Sequence, residues 1–334
     1  MSSRITVIIV RALGLSGATW FNLVLGNHDE AMALGPPARI LDLPAKDAGE
    51  ACFVHRERCD FWPAFLRERD HRGRFFEDIA ASTGKRILVV NYPPRELIER
   101  EIDGRGFRIL TVRLVRDGRA VLFSRMRHYG TLTPGTAIHH IVDWQIPVWD
   151  RVDRKLTSVP SPAALTVRYE DMLLDGAKEL ARVGDFVGIR YGENATRFWE
   201  RPQHLTAGNT GVIDLLCRLQ GETGHHNRRA DTYARMAEEL SVDPERTFLD
   251  ESWIDSLSRE DRLAFDCLLG ERNALYGYPR DSFLDGERHE FLRDLDRRLT
   301  EARAVEQPGR DDNAAAVPSG LGRLSRFLSH KRAQ

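Results

Sequence analysis

A glycine-containing stretch near the amino terminus has the composition of an anion-binding turn. Residues 14–20 (GLSGATW) stand between a β-branched run and the predicted start of a helix. The first backbone N–H groups of a helix lack intrahelical partners and lie at the positive end of its dipole. Ser16 and Thr19 add hydroxyl donors, and Gly17 lets the backbone approach a ligand closely. These features predict a phosphate site; the alternative is an ordinary βα turn with Ser16 as the helix cap.

A second stretch, residues 114–125 (LVRDGRAVLFSR), combines an arginine and a serine at a junction of the same kind. Arg116 stands at the end of a predicted buried strand, where its guanidinium can make two hydrogen bonds to a phosphate. Ser124 follows eight residues later, about two turns into the next helix. In the alternative interpretation Asp117 caps this helix and Arg116 forms a surface ion pair.

The elements that would position these residues alternate between strands and helices. The alternation predicts an α/β fold with a central parallel sheet and helices on both faces, in which ligands bind at the carboxyl edge. The predicted strands are 5–10, 86–91, 108–115 and 164–168. The predicted helices are 18–26 with Gly26 as its cap, 62–69, 73–82, 94–102, 119–129, 134–156, 259–275 and 287–299.

Three motifs in this order resemble the PAPS-dependent sulfotransferase family, in its bacterial cytosolic type. GLSGATW is similar to that family's 5′-phosphosulfate loop, and LVRDGRAVLFSR is similar to its 3′-phosphate motif. Residues 167–172 (VRYEDM) resemble its Arg-Tyr-Glu-Asp-Leu element. The resemblance covers roughly residues 5–190 and is weaker to about residue 280. It implies a P-loop NTPase-like architecture with a helical carboxyl-terminal part.

The resemblance also implies a function and a set of binding residues. The enzyme would transfer a sulfuryl group from PAPS (3′-phosphoadenosine-5′-phosphosulfate) to a hydroxyl or amine of a small molecule, glycan or lipid, releasing PAP. A loop at 204–209 (HLTAGN) would close over the nucleotide. The implied nucleotide-binding residues are Gly14, Ser16, Gly17, Ala18, Thr19 and Trp20 for the phosphosulfate, Arg116 and Ser124 for the 3′-phosphate, and Tyr169 near the adenine.

Two departures from the family pattern concern catalysis. Leu15 stands where a lysine or arginine is usual, and Pro36 stands where many members have a glutamate base. Arg11, Lys85 and Arg95 are the candidates to replace the cation. The departures favour one alternative, a non-catalytic homologue that binds PAPS or PAP. Another alternative, a nucleotide kinase-like P-loop enzyme, is disfavoured because no Gly-Lys-Ser/Thr is present.

The general base is predicted within the variable segment after the first helix. Its candidates there are Asp42, His55 and Glu57. The same segment contains Cys52 and Cys59, which with His55 form a Cys-x2-His-x3-Cys pattern. A structural zinc site needs a fourth ligand, and no companion pair follows at zinc-finger spacing, so no metal is expected.

Composition restricts the class of protein further. The formal charge of −1 gives no global attraction to nucleic acid, and the apolar run at residues 5–10 is too short to span a membrane. Four cysteines in 334 residues indicate no disulfide framework, as in a cytoplasmic protein. We expect one domain over residues 1–302 and a flexible tail over 303–334. The long stretch between Asn209 and Trp253 is interpreted as a lid or as a contact in a homo-oligomer.

Overall fold

The computed structural model describes residues 4–37, 51–68, 74–91, 102, 106–158, 164–222, 224, 227 and 229–305. The chain forms two compact units. The first contains residues 1–115 and 159–249, and the second contains residues 116–158 and 250–334. Within the described residues, no helix combines the length and the apolar character that crossing a membrane requires.

The first unit is built on a five-stranded parallel sheet with the order β2-β3-β1-β4-β5. β1 lies in the centre and is buried along its whole length, as its run of β-branched residues requires. Parallel pairing places Thr6 beside Ile87 and Ala12 beside Leu114, so all carboxyl ends share one edge. The strands are β1 Thr6–Ala12, β2 Ala31–Gly35, β3 Ile87–Asn91, β4 Arg108–Val115 and β5 Ala164–Arg168.

Helix α1 is fixed to the sheet by buried amides. Asn22 Nδ2 donates to Asn91 Oδ1 over 3.1 Å, and the Gly35 N–H donates to Asn22 Oδ1 over 3.2 Å. The pair ties α1 to β2 and β3 and so sets where α1 begins. The helices of this unit are α1 Ala18–Gly26, α2 Phe61–Glu68, α3 Phe75–Thr83, α4 Tyr169–Leu174, α5 Gly176–Val187, α6 Thr210–Leu219 and α7 Ala230–Val242.

The second unit is helical over its described residues. Its first helix is capped by Asp117, whose Oδ1 accepts from the Arg119 N–H over 2.9 Å. Later in the chain, the buried carboxylate of Asp266 accepts from Arg280 and Arg288. The helices are α8 Gly118–Tyr129, α9 Ala137–His140, α10 Ile146–Ser158, α11 Trp253–Ser256, α12 Arg259–Phe265, α13 Glu271–Ala274 and α14 Asp285–Val305, with π-helical turns at Ile141–Gln145 and Asp266–Gly270.

The predicted α/β class, with a parallel sheet flanked by helices and a helical carboxyl-terminal part, is confirmed. Strands 108–115 and 164–168 lie where the sequence predicts them. The predicted bounds 18–26 are correct, but the predicted cap at Gly26 is wrong, because Gly26 is the last residue of α1 and Asn27 is its cap. β2 (AMALG) was not predicted, since none of its residues is β-branched or aromatic, as is typical of a strand. The predicted helix 94–102 and most of the predicted tail lie outside the described residues.

Two long predicted helices are present with an interruption in each. The helical run predicted at 134–156 starts at Ala137 and contains the π-helical turn Ile141–Gln145. The run predicted at 259–275 contains the turn Asp266–Gly270. The stretch from Asn209 to Trp253 holds α6 and α7, which bury Leu216 and Leu240.

Candidate functional site

The turn between β1 and α1 leaves the amino end of the helix available to a ligand. Gly17 occupies the cap position with φ 83° and ψ 13°, and no side chain caps the helix. The alternative with Ser16 as the cap is therefore wrong. Leu15, with φ 68°, also has left-handed backbone, which is uncommon for a residue with a Cβ. The unpaired N–H groups of the first turn and the helix dipole together favour an anion at this position.

Two hydroxyls lie in the same turn. Ser16 is fully buried, and its Oγ has no hydrogen-bond partner among the described residues. A buried hydroxyl without a partner has lost its hydrogen bonds to water and gained none in their place, which costs free energy. A ligand that forms a hydrogen bond with it is therefore favoured. Thr19 Oγ1 accepts from the Asn209 N–H over 2.9 Å, which leaves the hydroxyl hydrogen of Thr19 to donate elsewhere.

Tyr169 packs directly against this turn. A Cβ at position 17 would lie 2.5 Å from Tyr169 Cε2, so only glycine allows the present approach of the ring. The ring centroids of Trp20 and Tyr169 are 5.7 Å apart in an edge-to-face arrangement. Tyr169 is thus a neighbour of the predicted phosphosulfate loop.

A cavity of about 540 Å³ opens beside the turn, entirely within the first unit. Gly17 and Tyr169 contribute to its wall, and most of the lining is apolar. A cavity with a large aromatic and apolar wall and an anion site at one end suits a planar base linked to a phosphate. Its aromatic lining includes Trp20, Tyr169, Trp199, Tyr233 and Phe248.

The predicted closing loop, residues 204–209, is docked on the carboxyl end of the sheet. Thr206 Oγ1 donates to Leu34 O at 2.9 Å and lies 2.7 Å from Pro36 O, and the Thr206 N–H donates to Leu34 O over 3.1 Å. At its end, Asn209 caps α6 by accepting from two backbone N–H groups. The loop therefore contacts both the strand end at Leu34 and the turn at Thr19.

The candidates to replace the missing cation are separated by the sheet. Lys85 stands just before the amino end of β3 and donates to Asp29 O over 2.7 Å. Since the strands are parallel, Lys85 lies at the edge opposite to residues 14–20, and its proposed role is wrong. Arg11, buried near the end of β1 just before the loop, lies at the correct end. Arg95 lies outside the described residues.

The second unit contains the predicted 3′-phosphate residues. Arg116 follows directly on β4, and Ser124 is half-buried in the second turn of α8. The Asp117 cap that the alternative required is present. It is reinforced by Arg119, whose Nη2 donates to Asp117 Oδ2 over 2.6 Å, and by Asn273 Nδ2 at 3.2 Å from Asp117 Oδ1. The start of α8 is therefore rigidly held.

The two described candidate bases, His55 and Glu57, lie in or beside one short 3₁₀ turn. Asp42 lies outside the described residues, and Glu57 is exposed in the short 3₁₀ turn Arg56–Arg58. His55 is half-buried, and its ring centroid lies 4.9 Å from that of His204. Neither Glu57 nor His55 lines the 540 Å³ cavity.

His204 supplies what the pattern of Cys52, His55 and Cys59 lacked in sequence. One ligand atom of each of these four side chains lies within 4.8 Å of the other three. A companion pair at zinc-finger spacing is absent from the sequence, and spacing along the chain does not reveal a histidine 145 residues after Cys59. We refer to Cys52, His55, Cys59 and His204 as the cysteine–histidine cluster.

Part of the chain matches a known protein family. Residues 12–202, more than half of it, match the family model described as the sulfotransferase domain. No curated protein matches.

Solved structures that are similar to this chain include three sulfotransferases. The sulfotransferase domain from the curacin biosynthetic pathway is 15% identical, with 88% of this chain and 97% of that chain covered and a TM-score of 0.41. Mouse sulfotransferase SULT7A1 complexed with PAP is 14% identical, with 85% and 87% covered and a TM-score of 0.42. Sulfotransferase STF1 from Mycobacterium tuberculosis H37Rv is 13% identical, with 59% and 71% covered and a TM-score of 0.36.

The family assignment rests on the domain match. It agrees with the order of elements in the first unit, where a parallel sheet places a Gly-Ser turn at the end of its central strand. The chain belongs to the sulfotransferase domain family and is a sulfotransferase.

Proposed function

We propose that the sulfuryl donor is PAPS and that residues 14–20 bind its 5′-phosphosulfate, with Tyr169 and Trp20 beside its adenine in the 540 Å³ cavity. The observation that carries this proposal is the uncapped amino end of α1, where the Ser16 hydroxyl has no partner among the described residues. The aromatic cavity adjoins this turn at Gly17. For Arg116 and Ser124 we propose the 3′-phosphate, as the family motif implies.

In the proposed reaction the acceptor oxygen or nitrogen attacks sulfur as the bond from sulfur to the bridging phosphate oxygen breaks. The acceptor loses its proton to a base, and PAP leaves with an additional negative charge on its 5′-phosphate. Backbone N–H groups at the start of α1 stabilise this charge, together with the hydroxyls of Ser16 and Thr19. Such fixed donors act most strongly on charge that develops in the transition state.

We propose that Arg11 supplies the positive charge that Leu15 does not. Arg11 is the candidate that the described residues place at the carboxyl end of the central strand. Its burial strengthens its field at the adjoining turn, since charges interact more strongly away from water. The base is proposed among Asp42, His55 and Glu57, and the acceptor is a hydroxyl or amine of a small molecule, glycan or lipid. The proposed compartment is the cytoplasm.

The activity is tested by incubating the full chain with radiolabelled PAPS and a panel of hydroxyl and amine acceptors. We expect labelled sulfate on at least one acceptor, with one PAP released for each sulfate transferred. Binding of PAP without any transfer across the panel would favour the non-catalytic homologue instead.

The 3′-phosphate assignment is tested by Arg116→Ala, with affinities for PAP and AMP measured by calorimetry. Losing a hydrogen bond to a charged group is worth about 1.5–3 kcal/mol, so the affinity for PAP should fall roughly 10-fold to 100-fold. The affinity for AMP, which has no 3′-phosphate, should not change. The matched control is Arg127→Ala, because Arg127 lies in α8, the helix that follows Arg116, and pairs with Asp250. An unchanged PAP affinity in folded Arg116→Ala protein would refute the assignment.

A further inference from the structure

The cysteine–histidine cluster joins two segments that are distant in sequence. Cys52, His55 and Cys59 lie around the 3₁₀ turn before α2, and His204 lies at the start of the loop 204–209. Cys52 and Cys59 are only 1% and 3% exposed, and both are free thiols. Two buried thiols and two imidazoles within 4.8 Å of one another form the donor set that zinc prefers.

Two sulfur–nitrogen distances within the cluster match those between the ligands of a tetrahedral zinc ion. Cys52 Sγ lies 3.5 Å from His55 Nδ1, and Cys59 Sγ lies 3.5 Å from His204 Nδ1. Zinc bonds of about 2.3 Å to sulfur and about 2.0–2.1 Å to nitrogen give a sulfur–nitrogen edge of about 3.6 Å in a tetrahedron. Both pairs therefore already stand at the separation that a shared zinc ion would impose.

Groups around the cluster orient its members. The backbone N–H of His55 donates to Cys52 Sγ over 3.3 Å, and the backbone N–H of Trp62 donates to Cys59 Sγ. Trp62 Nε1 also donates to His204 O over 2.9 Å. Donors to sulfur stabilise thiolate, the form that binds metal, and fixed second partners hold ligands in place.

We propose that Cys52, His55, Cys59 and His204 bind one Zn²⁺ in a closed structural site that anchors the loop 204–209. With four protein ligands the ion has no open position for substrate, which distinguishes this site from a catalytic zinc. A neutral His55 bound to zinc through Nδ1 carries its proton on Nε2, so neither ring nitrogen can take the acceptor's proton, which leaves Asp42 and Glu57 as the base candidates.

The loop 204–209 contacts both the cysteine–histidine cluster and the proposed nucleotide-binding turn. After His204, the Leu205 O accepts from the Phe53 N–H over 2.7 Å, which keeps the loop beside the cluster. Five residues beyond His204, the Asn209 N–H donates to Thr19 Oγ1. The zinc ion would thus fix a loop that contacts Thr19, without contacting the reacting groups itself.

The first test measures metal in the purified full chain, expressed with zinc in the medium and desalted without chelator. Mass spectrometry of the elements should give one zinc per chain. Cys59→Ser and His204→Gln should lose most of it, whereas Cys217→Ser and His28→Gln should keep it. Cys217 is a matched control because it is buried in the same unit and its thiol faces Val54 O at 3.7 Å. Wild-type protein without zinc, even after reconstitution, would overturn the proposal.

Two further measurements use the wild-type protein, so that their outcome does not depend on whether a variant folds. Cobalt exchanged for zinc should show the visible bands of a tetrahedral site with thiolate ligands; octahedral bands would refute the geometry. Thiol titration of the denatured protein should find all four cysteines reduced, and two missing thiols would indicate a Cys52–Cys59 disulfide in place of the metal.

Hydrogen exchange tests the anchoring role. Removal of zinc by a chelator should lower the melting temperature and speed exchange in the peptide containing residues 204–209, including the Asn209 N–H, and zinc should reverse both changes. Magnesium should not. Unchanged exchange in the zinc-free protein would show that the ion does not anchor the loop.

Discussion

Gly17 illustrates how much of the proposed nucleotide site depends on a single missing side chain. Its φ of 83° favours glycine, and its Cα leaves room for the Tyr169 ring, which a Cβ would meet at 2.5 Å. The amino end of α1, the wall of the aromatic cavity and the approach of a phosphate all depend on this position.

Gly17→Ala should therefore reduce both stability and PAP binding. A left-handed alanine costs about 1–2 kcal/mol, and displacement of the Tyr169 ring adds to this. Gly84→Ala is the matched control, since Gly84 has φ 68° but a Cβ there would meet nothing within 4 Å. Thermal melts with and without PAP should show a small loss for Gly84→Ala and a larger loss, with less PAP stabilisation, for Gly17→Ala. Equal behaviour of the two variants would contradict the packing argument.

At the residue scale, the sequence predicted which local motifs lie together better than it predicted their surroundings. The roles predicted for Ser16, Thr19 and Tyr169 follow local patterns, and the structure places all three around one turn and cavity. Their roles in binding stay predictions. His204 was missed as a partner of Cys59 because a cluster that joins distant segments leaves no local spacing to recognise. Lys85 was misplaced although it precedes the predicted strand 86–91, because its end of the parallel sheet was not compared with that of residues 14–20.

Among the elements, strands with β-branched or alternating residues were predictable. Elements that form because of their neighbours in the fold were not. β4 and β5 were located correctly, whereas β2, five residues at a sheet edge without a β-branched side chain, forms because β3 and the Gly35–Asn22 hydrogen bond hold it. The π-helical turns within two predicted helices break the regular 3.6-residue repeat locally, which periodicity alone does not predict.

The π-helical turn Asp266–Gly270 contains a buried charge that controls stability at low pH. Burial alone would raise the pKa of Asp266, but hydrogen bonds from Arg280 and Arg288 outweigh it and lower the pKa below its ordinary 3.8. The carboxylate therefore contributes stability that is fully present above about pH 4 and is lost as the pH falls through its lowered pKa.

Asp266→Asn should destabilise the protein at neutral pH by about 3–5 kcal/mol, because two arginines lose their buried partner. Its stability should also fall less steeply than that of the wild type as the pH drops below 3.8. Asp285→Asn is the control, since Asp285 binds the same Arg288 but its side chain is 88% exposed. Denaturant unfolding across this pH range makes the comparison; a loss in Asp285→Asn as large as in Asp266→Asn would contradict the role of burial.

For the whole molecule, the chain passes between the two compact units three times. It crosses between them after Val115, after Ser158 and after Leu249, so neither unit is one continuous segment. The prediction of one domain over residues 1–302 stays a prediction, and this chain path favours it.

Thermal unfolding should accordingly occur in one transition, with the calorimetric and van't Hoff enthalpies equal. Three chain crossings mean that unfolding of one unit releases the ends that close the loops of the other. Limited proteolysis should remove residues after about 302 before it cuts within either unit. Two separate transitions would contradict the single-domain prediction.

The central claim, that this sulfotransferase recognises a nucleotide with both a 5′-phosphate and a 3′-phosphate, is tested most directly by ligand-dependent melting of the wild-type chain. A ligand that binds only the folded state stabilises it by about 2.7 kcal/mol at a hundredfold excess over its dissociation constant. We predict a clear rise in melting temperature with PAP and little change with AMP or ATP at the same concentration. No rise with PAP, or a rise with ATP alone, would contradict the account.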